Sequence, residues 1–378
     1  MKTFRITSQH CDYEVVVGRG AWRALQQFPV QRYSSVFVLT ERGLWRKWGN
    51  LFLKESALSN RRGSKSSGRV TAIGPRELPV VFVPAGETSK SLKMVERVAG
   101  ELLKKGADRQ SLLIAMGGGV IGDLGGFVAS TYMRGIDYLN VPTTVVAQVD
   151  SAIGGKTAVN LGAMKNLVGS FHPPQLVLAD PAVLRSMSPR SFRSGLYEIV
   201  KHSILEGPAF FGELESRLGS LRPSNTRDLE PVLARAAGVK VDVVTRDERE
   251  SELRMVLNLG HTFGHAFEEA TDYRRFTHGE AVGWGLLAIT RLAVLLGVLD
   301  SAEAARIDRL VRRVGPLPTL RDLDPARILR LLPQDKKAIG GKIRWVLPER
   351  IGKVRIASDV PKAKIAAALR DIQGSQPR

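Results

Sequence analysis

Three of the six histidines lie in one short part of the sequence. His261 and His265 are four residues apart, and His278 follows shortly after them. Side chains four residues apart on a helix leave the same face. A third histidine and a carboxylate would complete the nitrogen and oxygen ligand set that zinc prefers, with one position left for a substrate. The alternative is a pair of separately satisfied side chains, but the crowding of the scarce imidazoles favours a metal site.

Polar or glycine-rich turns follow three of the apolar runs. They are Pro84-Ala-Gly-Glu-Thr-Ser-Lys90, Gly117-Gly-Gly-Val-Ile-Gly-Asp123 and Pro142-Thr-Thr144. Glycines let backbone N–H groups approach a pyrophosphate, and a following helix N-terminus favours its charge. A tight strand-to-helix turn explains the glycines alone nearly as well. Three such turns at one sheet edge, where open α/β sheets bind ligands, predict a nucleotide site.

The elements that must position these residues differ between the two halves of the chain. Short buried strands are predicted at 36–39, 80–83, 112–115 and 176–178, with a helix at 91–105 between two of them. Helices are predicted at 191–205, 231–244, 259–270, 280–296 and 302–314. We therefore expect an α/β nucleotide-binding domain with a mostly parallel sheet over residues 1–180 and an all-α domain over 181–378. The polar segment at about 54–78 is expected to be a mobile surface loop.

The composition allows an ordinary soluble enzyme. Of the 378 residues 43% are hydrophobic, and no run reaches the roughly 20 apolar residues of a membrane span. Cys11 is the only cysteine, which excludes an internal disulfide. With no recognisable secretory signal, a cytoplasmic location is expected. The net charge of +19 accompanies only 6% aromatics and no basic run interleaved with them, which favours an anionic small molecule over nucleic acid or membrane partners.

A series of motifs resembles the 3-dehydroquinate synthase family over roughly residues 86 to 352. The motifs are Gly86-Glu-Thr-Ser-Lys-Ser91, Gly117-Gly-Gly-Val-Ile-Gly-Asp123, Val141-Pro-Thr-Thr144, Gln148-Val-Asp-Ser151, Gly154-Gly-Lys-Thr-Ala-Val-Asn160, Lys165-Asn166, Glu198-Ile-Val-Lys201, Asn258-Leu-Gly-His-Thr-Phe-Gly-His265, His278-Gly-Glu280 and Asp335-Lys-Lys337. Their order and joint presence make the resemblance specific.

The resemblance implies a fold similar to that of glycerol dehydrogenase and an activity. The family converts 3-deoxy-D-arabino-heptulosonate 7-phosphate into 3-dehydroquinate and phosphate, in the shikimate pathway of aromatic amino-acid biosynthesis. It uses a divalent metal, zinc or cobalt, and an NAD that is consumed and regenerated in each turnover. A homodimer is also implied.

The resemblance also assigns roles to individual residues. The metal ligands are Glu198, His261 and His278, so that His265 instead contacts the substrate or supports the ligands. The catalytic and substrate-binding set is Lys156, Asn166, Lys201, Lys240, Arg254, Asn258, His265, one of Lys336 and Lys337, and Arg134, which resembles an arginine that reaches across a dimer interface. The NAD-binding set is Glu41, Glu87, Thr88, Ser89, Lys90, Gly119, Val120, Ile121, Gly122, Asp123, Thr143, Thr144, Asp150, Lys156 and Lys165.

One departure and several alternatives accompany this assignment. Glu41 stands where the family usually has an aspartate for the adenosine ribose, which bears on NAD affinity. One rival is a related cyclase that acts on sedoheptulose 7-phosphate, a substrate without a carboxylate. A second is a metal-dependent alcohol dehydrogenase, for which the lysines and arginines would be surplus. A nucleic-acid-binding protein is the third, supported only by net charge.

Overall fold

The computed structural model describes residues 1–58, 78–162, 164–332 and 343–375. The chain divides after Ser186 into two units, Met1–Ser186 and Met187–Arg378. Among the described residues, no helix has both the length and the apolar composition that a lipid bilayer would require. Lys336 and Lys337 lie outside the described residues, as do residues 59–77 of the predicted loop.

A seven-stranded sheet forms the centre of the first unit, in the order β1-β2-β9-β6-β5-β3-β4. Among the described strand pairs of this sheet, β1–β2 is antiparallel and the others are parallel. The strands of this unit are β1 Lys2–Thr7, β2 Asp12–Val17, β3 Val36–Glu41, β4 Val80–Val83, β5 Leu112–Gly117, β6 Asp137–Pro142, β7 Lys156–Leu161, β8 Met164–Phe171 and β9 Leu176–Ala179. The four predicted strand ranges are confirmed as β3, β4, β5 and β9, and β6 is the strand expected before the turn Pro142–Thr144. Strands β1 and β2 and the separate β7–β8 hairpin were not predicted.

The parallel strands bring the predicted nucleotide-binding turns to one edge of the sheet. Strand β5 is buried along its whole length, as expected for a central strand that is covered on both faces. Its parallel neighbours are β3 and β6, and β4 lies beyond β3. Since parallel strands end at the same edge, the turns that follow β4, β5 and β6 lie along one edge, with the end of β3 between those of β4 and β5.

In the described part of this unit, three α-helices pack with the sheet: α1 Arg42–Ser56, α2 Leu92–Lys104 and α3 Gly119–Thr131. The predicted helix at 91–105 is confirmed as α2, and the side chain of Ser91 caps it by accepting from the N–H of Met94. Residues 54–56, which were expected to belong to the loop, instead form the last turn of α1, which continues the helical run that starts at Arg42.

The second unit is mainly helical. Its helices are α4 Pro189–Glu206, α5 Pro208–Arg217, α6 Thr226–Arg246, α7 His261–Ala270, α8 His278–Leu295, α9 Ser301–Val314, α10 Pro325–Leu331 and α11 Lys362–Gly374. The five predicted helices are confirmed as α4, α6, α7, α8 and α9. The unit also contains an antiparallel hairpin, β10 Trp345–Arg350 and β11 Lys353–Ala357, which was not predicted for the all-α half.

Two glycines allow α8 to lie unusually close to its neighbours α4 and α7. A Cβ on Gly279 would lie 1.7 Å from the carbonyl oxygen of Ser194 on α4. A Cβ on Gly285 would lie 1.9 Å from the carbonyl oxygen of Gly260, which precedes α7. No side chain fits at either distance, so glycine at these positions sets the spacing of the three helices.

Candidate functional site

Helices α4, α7 and α8 bring one carboxylate and two imidazoles together. One ligand-type atom from each of Glu198, His261 and His278 lies within 4.8 Å of the others. The Oε1 atom of Glu198 lies 3.2 Å from Nε2 of His278 and 3.6 Å from Nε2 of His261. Glu198 and His261 are buried, and His278 is partly exposed. The cluster therefore has a buried side and an accessible side.

Local helix structure explains how these side chains are presented. His261 and His278 are the first residues of α7 and α8. A capping box formed by Thr277 and Glu280 fixes the start of α8. On α4, Lys201 lies one turn after Glu198, and its Nζ is 2.5 Å from Oε2 of that carboxylate. Both side chains are fully buried, so each provides the opposite charge that the other needs.

The two histidines of the cluster have opposite pKa shifts. Burial, assisted by the positive charge of Lys201, holds the pKa of His261 well below its usual value, so this imidazole is neutral. Burial acts in the same direction on His278, but the carboxylates of Glu268 and Glu198 outweigh it and raise its pKa to about 10. A cation at the cluster would therefore compete with a proton on His278.

The donor set fits a divalent metal of the zinc type. A carboxylate oxygen and two imidazole nitrogens are ligands that zinc and cobalt accept, and a set of three leaves a coordination position for substrate. A second group, His265, Glu268 and His278, also has its ligand atoms within 4.8 Å. His265 thus lies beside the first cluster, with its ring centroid 5.5 Å from that of His261.

Several residues predicted to bind the substrate lie in the same unit. Lys240 on α6 and Arg254 are both buried. Arg254 and Asn258 belong to a short 3-10 helix, Leu253–Asn258, immediately before α7. The Nη1 atom of Arg254 donates to the backbone carbonyl of Glu248, and the amide of Asn258 donates to Glu250 at 3.3 Å.

A buried carboxylate shapes the turn that leads to Arg254. Asp247 accepts hydrogen bonds from the backbone N–H groups of Ser251, Glu252 and Arg254 at 2.8–2.9 Å, and from the Ser251 hydroxyl at 3.0 Å. Burial alone would raise the pKa of Asp247, but these hydrogen bonds lower it to about 2. Asp247 was not predicted from the sequence, because the residues that close this turn have no characteristic spacing.

In the first unit, Lys90 is the centre of a polar cluster at the predicted nucleotide edge. Its ammonium forms an ion pair with Asp123 and donates to Oδ1 of Asn166. The backbone N–H of Asn166 donates to Oδ1 of Asn160 at 2.9 Å, and the Asn160 amide donates to Glu87 at 2.8 Å. Asn166, which was predicted to contact the substrate, thus lies among residues that were predicted to bind NAD. Asn160, which was not predicted as a site residue, links Asn166 with Glu87.

The remaining predicted NAD residues lie at the strand ends of the same unit. Gly119–Asp123 form the first turn of α3, whose cap residue is Gly118. Thr143 and Thr144 directly follow β6, and Asp150 lies in a short π-helix, Ala147–Ser151. Burial raises the pKa of Asp123. The positive charge of Lys90 lowers this pKa, and the negative charges of Glu87 and Asp150 raise it further. Glu41 ends β3 and is partly buried, and burial raises its pKa.

This edge fits a dinucleotide phosphate. Backbone N–H groups in the first turn of α3 have no partner within the helix, and a glycine cap leaves them open to an anion. Thr88 and Ser89 share a 3-10 turn with Glu87, just before Lys90. Lys156 begins β7 and Lys165 lies on β8. Arg134 lies in a turn before β6 with a left-handed backbone (φ 72°).

The fold and the two clusters define a class of protein, in which an α/β nucleotide-binding unit precedes a helical unit with a metal-type ligand set. The fold is shared with glycerol dehydrogenase from Schizosaccharomyces pombe, at 15% identity and a TM-score of 0.62, over 95% of this chain and 88% of that one. It is also shared with 2-epi-5-epi-valiolone synthase from Streptomyces hygroscopicus subsp. jinggangensis 5008, whose structure has NAD⁺ and Zn²⁺ bound. That match has 28% identity, a TM-score of 0.82 and covers 99% of this chain and 100% of the other.

The sequence comparisons narrow this class to one family. The family models of the 3-dehydroquinate synthase N-terminal and C-terminal domains match residues 80–194 and 195–338. The 3-dehydroquinate synthase of Solibacter usitatus (strain Ellin6076) is 38% identical over 364 residues, which is 96% of this chain and 97% of that protein. The chain belongs to the 3-dehydroquinate synthase family.

Proposed function

We propose that this chain converts 3-deoxy-D-arabino-heptulosonate 7-phosphate into 3-dehydroquinate and phosphate, as a phosphate-eliminating carbon–oxygen lyase of the shikimate pathway. Membership of the family supports this activity. The observation that carries it is the cluster of Glu198, His261 and His278, since a buried carboxylate and two imidazoles within 4.8 Å form a ligand set for a divalent metal.

The proposed cofactors follow from the two clusters. Glu198, His261 and His278 would hold zinc or cobalt, and the strand-end residues around Lys90 and Gly119 would hold NAD. When bound, the metal would acidify a substrate hydroxyl, and NAD would accept hydride and return it. A histidine binds a metal only when its imidazole is neutral. The lowered pKa of His261 keeps this imidazole neutral.

The basic residues would bind the anionic groups of the substrate. Arg254 is buried, and its planar guanidinium suits a carboxylate or phosphate. Lys240, Asn258 and His265 add donors in the same unit, and Lys156 and one of Lys336 and Lys337 complete the proposed set. Phosphate elimination leaves a dianion whose departure these cations would stabilise. The lysines and arginine therefore favour a substrate with both a phosphate and a carboxylate.

We also propose that the protein is a homodimer. The β7–β8 hairpin exposes Leu161, Met164, Leu167 and Phe171, each more than 40% accessible. Among the described residues, β8 pairs only with β7, so its other edge offers backbone groups to a second chain. Arg134 resembles the family arginine that contacts the phosphate in the neighbouring subunit.

The substrate assignment is tested by supplying the zinc-loaded protein and NAD with each heptulose phosphate in turn. The expected result is phosphate release and carbocycle formation from the carboxylated substrate, without accumulation of reduced nicotinamide, because the reaction has no net oxidation. Turnover of sedoheptulose 7-phosphate alone would identify the rival cyclase, which the similarity to 2-epi-5-epi-valiolone synthase makes the nearest alternative. Steady growth of reduced nicotinamide would identify a dehydrogenase.

A further inference from the structure

His278 has a carboxylate on each side of its imidazole ring. Its Nε2 lies 3.2 Å from Oε1 of Glu198, within the candidate ligand cluster. Its Nδ1 lies 3.2 Å from Oε2 of Glu268 on α7. Glu268 is 97% buried, so its carboxylate has little access to water. The metal assignment uses Glu198, His261 and His278 and leaves Glu268 without a role.

His261 shows the same division between its two ring nitrogens. Its Nδ1 lies 3.2 Å from the backbone carbonyl of Leu259, while Nε2 faces Glu198. A neutral imidazole carries one proton, and an acceptor at Nδ1 keeps the proton there and leaves the Nε2 lone pair for a ligand. Both histidines are thus held at Nδ1 by an oxygen atom, with Nε2 turned to the same carboxylate.

Helix α7 carries two residues of the site, His261 and Glu268. Glu268 follows His261 by seven residues, which is two helical turns and returns the side chain to the same face. The one helix therefore supplies His261 to the cluster and Glu268 to the far side of His278. The backbone carbonyl of Glu268 also accepts from the N–H of Tyr273, which ties the end of the helix to the turn before α8.

We propose that Glu268 is a positioning residue, which accepts the Nδ1 proton of His278 and so fixes the tautomer and ring orientation in which Nε2 binds the metal. The proposal rests on the proposed function, since it assumes a metal at Glu198, His261 and His278. A carboxylate in this place also raises the basicity of the imidazole, and loss of such a partner weakens metal binding by about 10–100-fold.

The alternative arrangement makes Glu268 itself a ligand, together with His265 and His278. Two observations favour the positioning role. The Nε2 atoms of His261 and His278 both face Glu198, and this carboxylate is fully buried beside Lys201. A metal bound by Glu268 would be coordinated by Nδ1 of His278. It would then not contact Glu198, which the Nε2 atoms of both histidines face.

The test compares the zinc affinity of four purified proteins, the wild type, Glu268→Gln, Glu268→Ala and Glu269→Gln, by competition with a chromogenic chelator in the absence of substrate. Glu269 is the matched control, because it is the next residue on α7 and is not part of either ligand group. We expect zinc binding of one equivalent throughout. The affinity should fall by about 10–100-fold in Glu268→Ala, by less in Glu268→Gln, and not in Glu269→Gln. Thermal denaturation of the metal-free proteins checks that each is folded, and Glu268→Gln keeps the side-chain volume if Glu268→Ala does not fold.

A second measurement separates positioning from a general loss of structure. Isotope-edited NMR of the imidazole nitrogens of the zinc-loaded protein should show His278 protonated at Nδ1 in the wild type and in Glu269→Gln. In Glu268→Ala, that proton signal should broaden or be lost through exchange with water.

Each other outcome overturns the proposal. Unchanged zinc affinity in both Glu268 variants removes the positioning role while the proposed function stands. Complete loss of zinc in Glu268→Gln, with zinc retained in His261→Ala, makes Glu268 a ligand. If the wild type itself binds no zinc or cobalt, the metal assignment in the proposed function fails, and the Glu268 proposal fails with it.

Discussion

Individual residues of the candidate metal cluster have separate tasks, although all lie within a few ångströms of one another. Glu198 and Lys201 form a buried ion pair, and removal of one partner from such a pair leaves an uncompensated charge. Replacement of a histidine leaves this ion pair in place, and only the removal of His278 also takes a partner from a second buried carboxylate, Glu268. Mutation of the three histidines therefore tests which of them bind the metal and which contacts the substrate.

We predict that His261→Ala and His278→Ala each lose metal and activity, whereas His265→Ala keeps its metal and loses turnover. The physical reason is that Nε2 of His261 and of His278 faces Glu198 within 3.6 Å. Metal content of the purified variants, measured by atomic emission, decides the assignment. His10→Ala, at an exposed histidine near the N-terminus, is the control and should be unaffected. Retention of metal in His278→Ala together with its loss in His265→Ala would show that the assignment is wrong.

Arg254→Lys tests the recognition of the substrate anion. Lysine keeps the charge but loses the planar fork that binds two oxygens at once. Because Arg254 is only 2% exposed, water cannot replace the lost contact. The expected loss in kcat/KM corresponds to on the order of 2–3 kcal/mol of transition-state stabilisation. Arg249→Lys, at an exposed arginine of the same turn, is the matched control. Equal kinetics for the two variants would exclude Arg254 from the anion site.

At the scale of elements, the spacing between α4 and α8 controls the cluster. Gly279→Ala would place a methyl group 1.7 Å from the Ser194 carbonyl, so the first turn of α8 must move away and carry His278 from Glu198. We expect a loss of stability of about 1–3 kcal/mol and weaker metal binding. Gly212→Ala on α5, where a Cβ meets nothing within 4 Å, is the control and should stabilise by roughly 0.5–1 kcal/mol. Calorimetry and chelator competition measure both effects, and normal zinc affinity in Gly279→Ala would contradict the spacing argument.

The turn before Arg254 yields a prediction with a defined pH dependence. The pKa of Asp247 is about 2 in the folded protein against an ordinary value of 3.8, so its stabilisation is fully present above that ordinary value and is lost as the pH falls toward about 2. Asp247→Asn should cost about 1.5–3 kcal/mol at neutral pH, and the difference from wild type should shrink in acid. Urea unfolding at a series of pH values measures it, with the exposed Asp242→Asn as control. A cost that does not change with pH would contradict the role of the charge.

The sequence predicted those elements that have a regular pattern of apolar residues. Strand β5 and helix α2 follow directly from an apolar run and from helical periodicity with a serine cap. The β7–β8 hairpin was not predicted, because its residues are mostly exposed or partly buried and form no apolar run. His261 and His278 stood out by their proximity in sequence. Glu198 lies on an earlier helix, so only the family resemblance connected it with these histidines. The hydrogen bonds around Asp247 depend on a turn whose residues have no characteristic spacing in the sequence.

For the whole molecule, the exposed apolar residues of the β7–β8 hairpin are hard to explain in an isolated chain. Leu167 is 47% exposed and Phe171 is 46% exposed on a strand whose outer edge has no partner strand in the part of the chain that the structure describes. Such an edge favours pairing with another copy. If the protein is a dimer through this hairpin, the edge is covered and Arg134 of each subunit is available to the other.

We predict that the wild-type protein is a dimer and that Leu167→Glu is a monomer, because the glutamate would place a charge in the proposed apolar interface. Light scattering after size-exclusion chromatography measures the mass. Leu103→Glu is the matched control, because Leu103 is an exposed leucine on α2, at 62% accessibility, and its change should leave the dimer intact. The monomer should also bind phosphate-bearing substrate more weakly, since it would lack the arginine of its neighbour, and this appears as a raised KM with unchanged zinc content. A wild-type protein that is already monomeric, or a Leu167→Glu protein that remains dimeric, would show that the hairpin is not the interface.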